Sequence, residues 1–353
     1  MFNKINAALL NGPGDLKIQS INMPVIGPED VLLKILAVGI CGSDIHTYKT
    51  GINAYPEQIM GHEFVGEAVE LGAKVKGIEI GDRLTGFTVS YCGKCEFCRK
   101  RDYRMCPRLF DGYSGYGKNG AMAEYMRLEN AILGENVFRI PDCLSNLQAT
   151  MAEPLGTAVY TLFRTKPKPN DKVVVIGAGT IGQFLIQLFK TVENVKVIAV
   201  EIEEERLRLA KISGADVVIN PKKVVDLLAA IQEETGIGEY HFGKGGNADI
   251  VIDAAGTPHT LHQALQFVKS KGTVGVVAIP EKSSQIDSSL LVYKDIRLIG
   301  ILGSVLPKGI EYLEKKLIRT DYLISHTFPL DQAQQAFQTA IHDPKAMKVL
   351  LIP

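Results

Sequence analysis

The chain has 353 residues, and its 39 lysines and arginines are matched by 39 aspartates and glutamates, with the apolar content of an ordinary soluble globular protein. That length exceeds one compact domain and predicts two. Zero formal charge offers no basic face to nucleic acid or an anionic membrane, and no apolar run approaches the ~20 residues of a membrane span.

The N-terminus, MFNKINAALLNGPGDLKIQ, is broken by Asn and Gly too early to form the apolar core of a signal peptide. The expected location is the cytoplasm, where thiols stay reduced. Residues 1 to about 155 read as short strands divided by Gly, Pro and Asp, such as DVLLKILAVGI (30–40) and EFVGEAVEL (63–71), followed by a loop-rich stretch over 90–120. This pattern predicts a β-rich domain carrying loops.

Four of the six cysteines stand in that stretch, at Cys92, Cys95, Cys98 and Cys106, spaced C-x2-C-x2-C-x7-C. Four thiolates so close can wrap one Zn²⁺ tetrahedrally, and the closed shell leaves no position for chemistry, so the metal is expected to be structural. A disulfide framework conflicts with a reducing compartment, and a redox C-x2-C pair leaves the third and fourth cysteines without a role. Cys143 has no evident partner. Upstream, Cys41, His62 and Glu63 offer thiolate, imidazole and carboxylate, the ligand types of an open catalytic zinc site. Taken singly, a buried Cys and a lone His have ordinary packing explanations. Ser43 and Asp44 have theirs as a turn or helix cap at Gly42-Ser43-Asp44.

From Asp171 the pattern changes. Apolar strands KVVVIGAG, VKVIAVE, DVVIN, DIVIDAAG and TVGVVAI alternate with helices IGQFLIQLFKTV, EEERLRLAKISG and two more over 222–235 and 258–271. The alternation predicts an α/β, doubly wound parallel sheet of the Rossmann type. Between the first strand and its helix, Gly177-Ala178-Gly179-Thr180-Ile181-Gly182 gives G-x-G-x-x-G. The first glycine permits the turn, the second admits a pyrophosphate, and the third allows close helix–strand packing. Glu201, 19 residues after Gly182, ends the next strand. There it suits the ribose hydroxyls and repels a 2′-phosphate, which favours NAD over NADP. Arg206 either covers the adenine side or is a solvated helix residue.

Residues 236–248 form a Gly-rich insertion without a readable purpose. The closing segments EYLEKKLIRTDYLIS and PLDQAQQAFQTAIHD read as helical before a last strand, KVLLIP. His259 and His262 sit at a capped helix start with no Cys or carboxylate cluster, and His241, His326 and His342 belong to no constellation.

The runs Cys41-Gly-Ser-Asp-Ile-His-Thr-Tyr48 and Gly61-His-Glu63, then the four-cysteine loop, then GAGTIG, resemble in content and order the zinc-containing medium-chain dehydrogenase/reductase family over nearly the whole chain. The resemblance implies a GroES-like β-rich catalytic domain over 1–156 with two zinc sites, and an NAD-binding Rossmann domain over 157–294. Residues 295–353 would close the Rossmann sheet and return to the catalytic domain, with the active site in the cleft between. Cys41 and His62 match the family's catalytic zinc ligands, and Glu63 matches an acid that in some members swings onto the metal. Glu153 matches the third ligand position, which is Cys in alcohol dehydrogenases and Glu in polyol and threonine dehydrogenases. Which glutamate bonds the metal stays open. The resemblance also implies that zinc polarises the substrate hydroxyl, that Ser43 takes its proton, and that the proton leaves through the nicotinamide ribose and His46. Asp44 would fix the His62 ring, and Thr157 would pack by the nicotinamide.

The substrate is less legible. Tyr48 falls where polyol dehydrogenases place pocket residues, although a core tyrosine fits equally. Sorbitol dehydrogenases carry an Arg-Tyr pair where this chain has Gly303-Ser304, and threonine dehydrogenases an Arg in place of Ser304 and a Trp soon after the Tyr48 position; this chain has no Trp. Without such a cation a substrate carboxylate would be costly to bury, so a neutral secondary alcohol, diol or polyol is expected ahead of L-threonine. The rivals are a zinc-independent reductase of the same superfamily and an NAD-binding zinc-ribbon interaction protein without turnover. Strand 296–302 (IRLIGIL) resembles the edge through which family members pair, which implies a homodimer or homotetramer.

Overall fold

Apolar periodicity sets the elements in both parts of the chain, and the register between them sets where the polar residues meet. The structure, a computed structural model, describes residues 4–52, 54–88, 91–280 and 282–353. Residues 1–3, 53, 89–90 (the head of the loop-rich stretch) and 281 lie outside that description. Two compact units emerge, one made of residues 1–153 and 306–353 and the other of residues 154–305.

The first unit opens with strands β1 (Lys4–Gly12), β2 (Asp15–Asn22) and β3 (Val31–Gly39), then helix α1 (Gly42–Thr50). Strands β4 (Gln58–Ile59), β5 (Glu63–Leu71) and β6 (Arg83–Gly86) follow, then the short helix α2 (Glu96–Arg99). Next come β7 (Tyr125–Leu128), β8 (Val137–Arg139) and helix α3 (Asn146–Ala149).

The second unit contains α4 (Ala152–Thr165) from Pro154 onward, β9 (Lys172–Ile176), α5 (Thr180–Phe189), β10 (Lys196–Val200), α6 (Glu204–Ile212) and β11 (Val217–Ile219). It continues with α7 (Leu227–Thr235), β12 (Ile237–Tyr240), β13 (Gly243–Gly246), β14 (Ala248–Asp253) and α8 (Thr260–Phe267). Strand β15 (Val268–Val276), helix α9 (Ser289–Tyr293) and strand β16 (Arg297–Gly300) complete it. The chain then returns to the first unit through α10 (Leu306–Glu314), β17 (Ile324–Pro329), α11 (Ala333–His342) and β18 (Lys348–Ile352).

In the first unit the sheet order is β17-β18-β3-β5-β6-β8, with β7 also on β3, beside a smaller sheet β2-β1-β4. The core between them buries Leu33, Ile35, Met60, Phe64, Leu84, Met122 and Phe337. Strand β3 runs antiparallel to β5 with Gly39 opposite Glu63, and β18 is antiparallel to β3 with Leu350 opposite Gly39. The chain therefore leaves β3 toward Cys41, enters β5 from His62, and starts β18 at Lys348, all at one end of the sheet.

The second unit holds a six-stranded sheet in the order β11-β10-β9-β14-β15-β16, every neighbouring pair parallel. Numbered along the chain this is 3-2-1-4-5-6, the doubly wound order, with its switch point between β9 and β14. The fold class read from the sequence, a Rossmann sheet plus a GroES-like β-rich domain, is present.

Local readings need correction. The segment read as helical over 311–325 is helix only to Glu314, and its last two residues, Ile324 and Ser325, open strand β17, parallel to β18; the strand's residues alternate between half-buried and exposed, the period of a strand rather than of a helix. Helix α7 begins at Leu227 rather than 222 because Asp226 caps it, accepting from the N–H of Leu228 at 2.8 Å and of Ala229 at 3.2 Å. Helix α8 stops at Phe267, where β15 already begins, instead of reaching 271. The Gly-rich insertion folds as the antiparallel hairpin β12–β13.

Candidate functional sites

The four-cysteine loop closes on itself. Its sulfur atoms all lie within 4.8 Å of one another, with Cys92 Sγ and Cys98 Sγ 4.0 Å apart, so the thiols are gathered without being bonded. Backbone N–H groups point at sulfur: Cys95 N donates to Cys92 Sγ at 3.3 Å, Cys98 N to Cys95 Sγ at 3.4 Å and Cys92 N to Cys106 Sγ at 3.4 Å. The N–H groups of Lys94 and Cys95 draw the Cys92 thiol down to about 6, while desolvation pushes Cys98 up to about 12. Four convergent sulfurs fit a closed tetrahedral zinc site.

The second cluster is built from distant parts of the chain. One donor atom each from Cys41, His62 and Glu63 lies within 4.8 Å of the other two. Asp44 serves two partners. Its Oδ2 accepts from Cys41 N at 2.9 Å, closing the start of α1, and its Oδ1 stands 3.5 Å from His62 Nδ1. The cap and the orientation of His62 are thus both served by one carboxylate. His62 is buried and its Nδ1 has no hydrogen-bond partner. Burial opposes a charge on the ring, but Asp44 outweighs it and holds His62 well above its usual range. Glu63 is buried against Lys348, whose ammonium pairs with its carboxylate and also donates to the Ile40 carbonyl at 3.0 Å. Glu153 is partly exposed; desolvation pushes its carboxyl up to about 7, opposed by His62 and Lys348. The convergence of a cysteine, an imidazole and a carboxylate, the donor set of an open zinc site, fits that ion. Cys41, His62 and one of the two glutamates would hold the ion.

Ser43 lies in the first turn of α1 and His46 three residues on, the spacing that puts two side chains on one helix face. Tyr116 and Tyr113 stand over His62, with ring centroids 5.4 and 6.3 Å from it. Tyr48, in contrast, is core: its hydroxyl donates to the Gly14 carbonyl at 2.9 Å, accepts from Gln334 and Gln338 at 2.8 Å each, and its ring packs on Phe337. The pocket role considered for Tyr48 is withdrawn.

In the second unit, Gly177 has φ of +93°, and a Cβ there would meet Ala255 N at 2.8 Å; one on Gly182 would meet the Gly177 carbonyl at 2.0 Å. Gly179 is the N-cap of α5, where a Cβ would meet nothing within 4 Å. That open approach, with Ile181 in the first helical turn, is what a pyrophosphate needs. Glu201 is buried and held by the N–H groups of Ala178 at 2.9 Å, Ile202 at 2.7 Å and Glu203 at 3.1 Å. Arg206 Nη1 is 4.0 Å from it, and its buried Nε has no partner. Thr157 is half-buried on α4, its carbonyl accepting from Thr161 at 3.0 Å.

Several residues at these sites carry no motif. Asp253, at the end of β14, accepts from the N–H groups of Ala255 and Gly256 at 3.1 Å each and from Thr260 Oγ1 at 3.0 Å, bracing the turn opposite Gly177. Buried Gln183 joins α5 to α6 through the Ala178 and Arg206 carbonyls. Lys348 offered one signal, a lysine opening an otherwise apolar strand. Tyr113 and Tyr116 offered only their place after the four cysteines.

Comparisons with known proteins follow the same division. A family model described as an alcohol dehydrogenase GroES-like domain matches residues 27–142, and one described as a zinc-binding dehydrogenase matches residues 180–317. The chain is 34% identical to the L-threonine 3-dehydrogenase of Caldanaerobacter subterraneus subsp. tengcongensis over 94% of its own length and 93% of that protein's. It is 29% identical to the sorbitol dehydrogenase of Bacillus subtilis over 99% of this chain and 97% of that one. The crystal structure of 2R,3R-butanediol dehydrogenase from Bacillus subtilis matches with a TM-score of 0.86 at 30% identity, covering 99% of both chains.

Proposed function

Because the chain belongs to the zinc-containing medium-chain dehydrogenase/reductase family, we propose that it interconverts a secondary alcohol of the diol or polyol class with its ketone, using zinc and NAD. The observation that carries this reading is the convergence of Cys41, His62 and Glu63 within 4.8 Å at one end of the β3–β5 sheet. A zinc ion held there would supply Lewis acidity, and a bound dinucleotide would supply the hydride acceptor.

The chain's own residues do the rest. Asp44 orients His62. Ser43, beside the cluster, takes the hydroxyl proton, and His46 on the same face of α1 hands it to water. Glu201 offers its carboxylate to the ribose hydroxyls and disfavours a 2′-phosphate, which supports NAD ahead of NADP. Lys348 is committed to Glu63 and the Ile40 carbonyl, which argues for a neutral substrate over one bearing a carboxylate. A second reading, oxidation of L-threonine, is favoured by the 34% identity to an L-threonine 3-dehydrogenase.

No helix among the described residues is long and apolar enough to cross a membrane, and a cytoplasmic location is part of the proposal. So is pairing into a homodimer or homotetramer through β16, an edge strand with Leu298 exposed. The test is a screen of NAD⁺ reduction over secondary alcohols, diols, polyols and L-threonine, together with zinc analysis. Turnover of diols or polyols by protein holding two zinc ions per chain is expected. Activity confined to L-threonine would put the second reading in its place, and no turnover of any substrate would overturn both.

A further inference from the structure

Gln58 opens the short strand β4, which leads into His62, and its side chain is wholly buried. Its Oε1 accepts from Tyr55 N at 3.2 Å, which turns the amide so that Nε2 donates to the carbonyls of Gly115 and Tyr116, both at 2.6 Å. Those carbonyls lie in a turn whose own bonds use other atoms. Tyr116 N and Lys118 N donate to the Tyr113 carbonyl at 3.0 and 3.2 Å, and Gly115 N donates to the Lys118 carbonyl at 2.8 Å. A glutamine suits the place because it brings two N–H donors and an acceptor into a buried position without a charge.

The clamp bears on the residues just before the metal ligand. Gly115 has φ of +82° and lies so close to Gly61 that a Cβ would meet its backbone at 3.0–3.1 Å. A Cβ on Gly120 would meet the Gly61 carbonyl at 2.3 Å. The N–H groups of Gly120, Ala121 and Met122 donate to the carbonyls of Ile59, Gly61 and Met60 at 2.7, 2.9 and 3.0 Å. Stretches 58–61 and 115–122 are thus fastened backbone to backbone, with the Gln58 amide holding the Tyr116 end.

That loop carries two rings beside His62. Tyr113 and Tyr116 have centroids 6.3 and 5.4 Å from the imidazole, at 64° and 36° to its plane. Asp44 Oδ1 stands 3.5 Å from His62 Nδ1. A histidine ligand needs both its tautomer and its ring orientation fixed. Asp44 addresses the nitrogen, and the two phenol rings bound the plane.

We infer that Gln58 is a positioning residue for His62: by holding Gly115 and Tyr116 it fixes the aromatic wall that sets the imidazole plane, and so strengthens zinc binding at the Cys41–His62–Glu63 cluster. The inference rests on the zinc-dependent reading above and adds to it a residue outside the ligand set.

The experiment titrates the zinc-loaded full chain with a chelator, without NAD or alcohol, in wild type, Gln58→Met and Gln58→Asn. The step that Cys41→Ser lacks identifies the ion at the Cys41 cluster. Gln58→Met removes both donors from a side chain of similar length. It should weaken zinc at that cluster roughly tenfold, while zinc in the four-cysteine loop is held as in wild type. Gln58→Asn keeps the donors one methylene short of the carbonyls and should show a smaller loss of the same kind, which serves if the first variant does not fold. Tyr48→Phe, a core change elsewhere in the same unit, controls for lost stability and should leave both zinc affinities unchanged. Unchanged affinity at the Cys41 cluster in the Gln58 variants would overturn the inference. So would equal weakening of both ions, or a matching loss in Tyr48→Phe, since either would make Gln58 general scaffolding. A wild type holding one zinc ion per chain would overturn the functional reading together with this one.

Discussion

Cys92, Cys95, Cys98 and Cys106 gather within one loop, whereas Cys41, His62, Glu63 and Lys348 arrive from a helix start, a strand start and the final strand. The loop cluster is made by local backbone N–H···S contacts and has sulfurs on both half-buried and buried residues. The second cluster exists only because β3, β5 and β18 pair in one register, and its carboxylate and ammonium are almost wholly buried. A closed local site can be lost without unmaking the sheet. An open site assembled from the sheet's own ends cannot be separated from the sheet's stability.

The largest expected effect tests which cluster does chemistry. Cys41→Ser should leave one zinc ion per chain and reduce turnover by roughly a thousandfold, since several kcal/mol of Lewis-acid stabilisation are lost. Cys95→Ser should also leave one zinc ion, but with kcat of the folded fraction largely retained and a lower melting temperature. Metal analysis beside steady-state kinetics checks both. Full activity in the Cys41 variant would erase the distinction between the clusters.

Lys348→Met comes next. Removing one member of a buried ion pair strands the other, at a cost of about 3–5 kcal/mol. Glu63 is that stranded partner, so Lys348→Met combined with Glu63→Gln should recover much of the loss in a denaturant titration. Zinc in the four-cysteine loop should be retained in both variants. An unchanged midpoint for Lys348→Met would mean that the buried pair does not support the sheet.

The same contrast explains what could be read in advance. The four cysteines were legible because their geometry follows from spacing within one loop. The glycine turn was legible because a strand, a tight turn and a helix N-terminus are contiguous. Cys41 and His62 became legible through the order of their motifs. Lys348 did not, because its meeting with Glu63 depends on β18 pairing with β3, a contact between residues 285 apart. Tyr116 was missed because a polar aromatic in a loop has no period, and its place beside His62 comes from Gln58 and Gly115 holding the loop against Gly61. Strand β17 was missed because its half-exposed alternation lacks the apolar run that marks its neighbours.

The smallest effect separates two tyrosines that sequence alone treats alike. Tyr48 sits on α1, the helix that starts at the Cys41 cap, but its hydroxyl points into the first unit's core, donating to Gly14 and accepting from Gln334 and Gln338. Tyr48→Phe keeps the ring on Phe337 and takes the hydroxyl partner from Gln338, while Gln334 and the Gly14 carbonyl still bond each other at 3.2 Å. It should cost about 1–2 kcal/mol of stability while kcat/KM stays as in the wild type for diol and simple alcohol alike. Tyr116 stands beside His62 instead, its ring centroid 5.4 Å away. Denaturation midpoints and the ratio of kcat/KM for a diol and a simple alcohol, measured on the Tyr48 variant, decide the matter. A Tyr48 variant that altered the ratio would return that residue to the pocket.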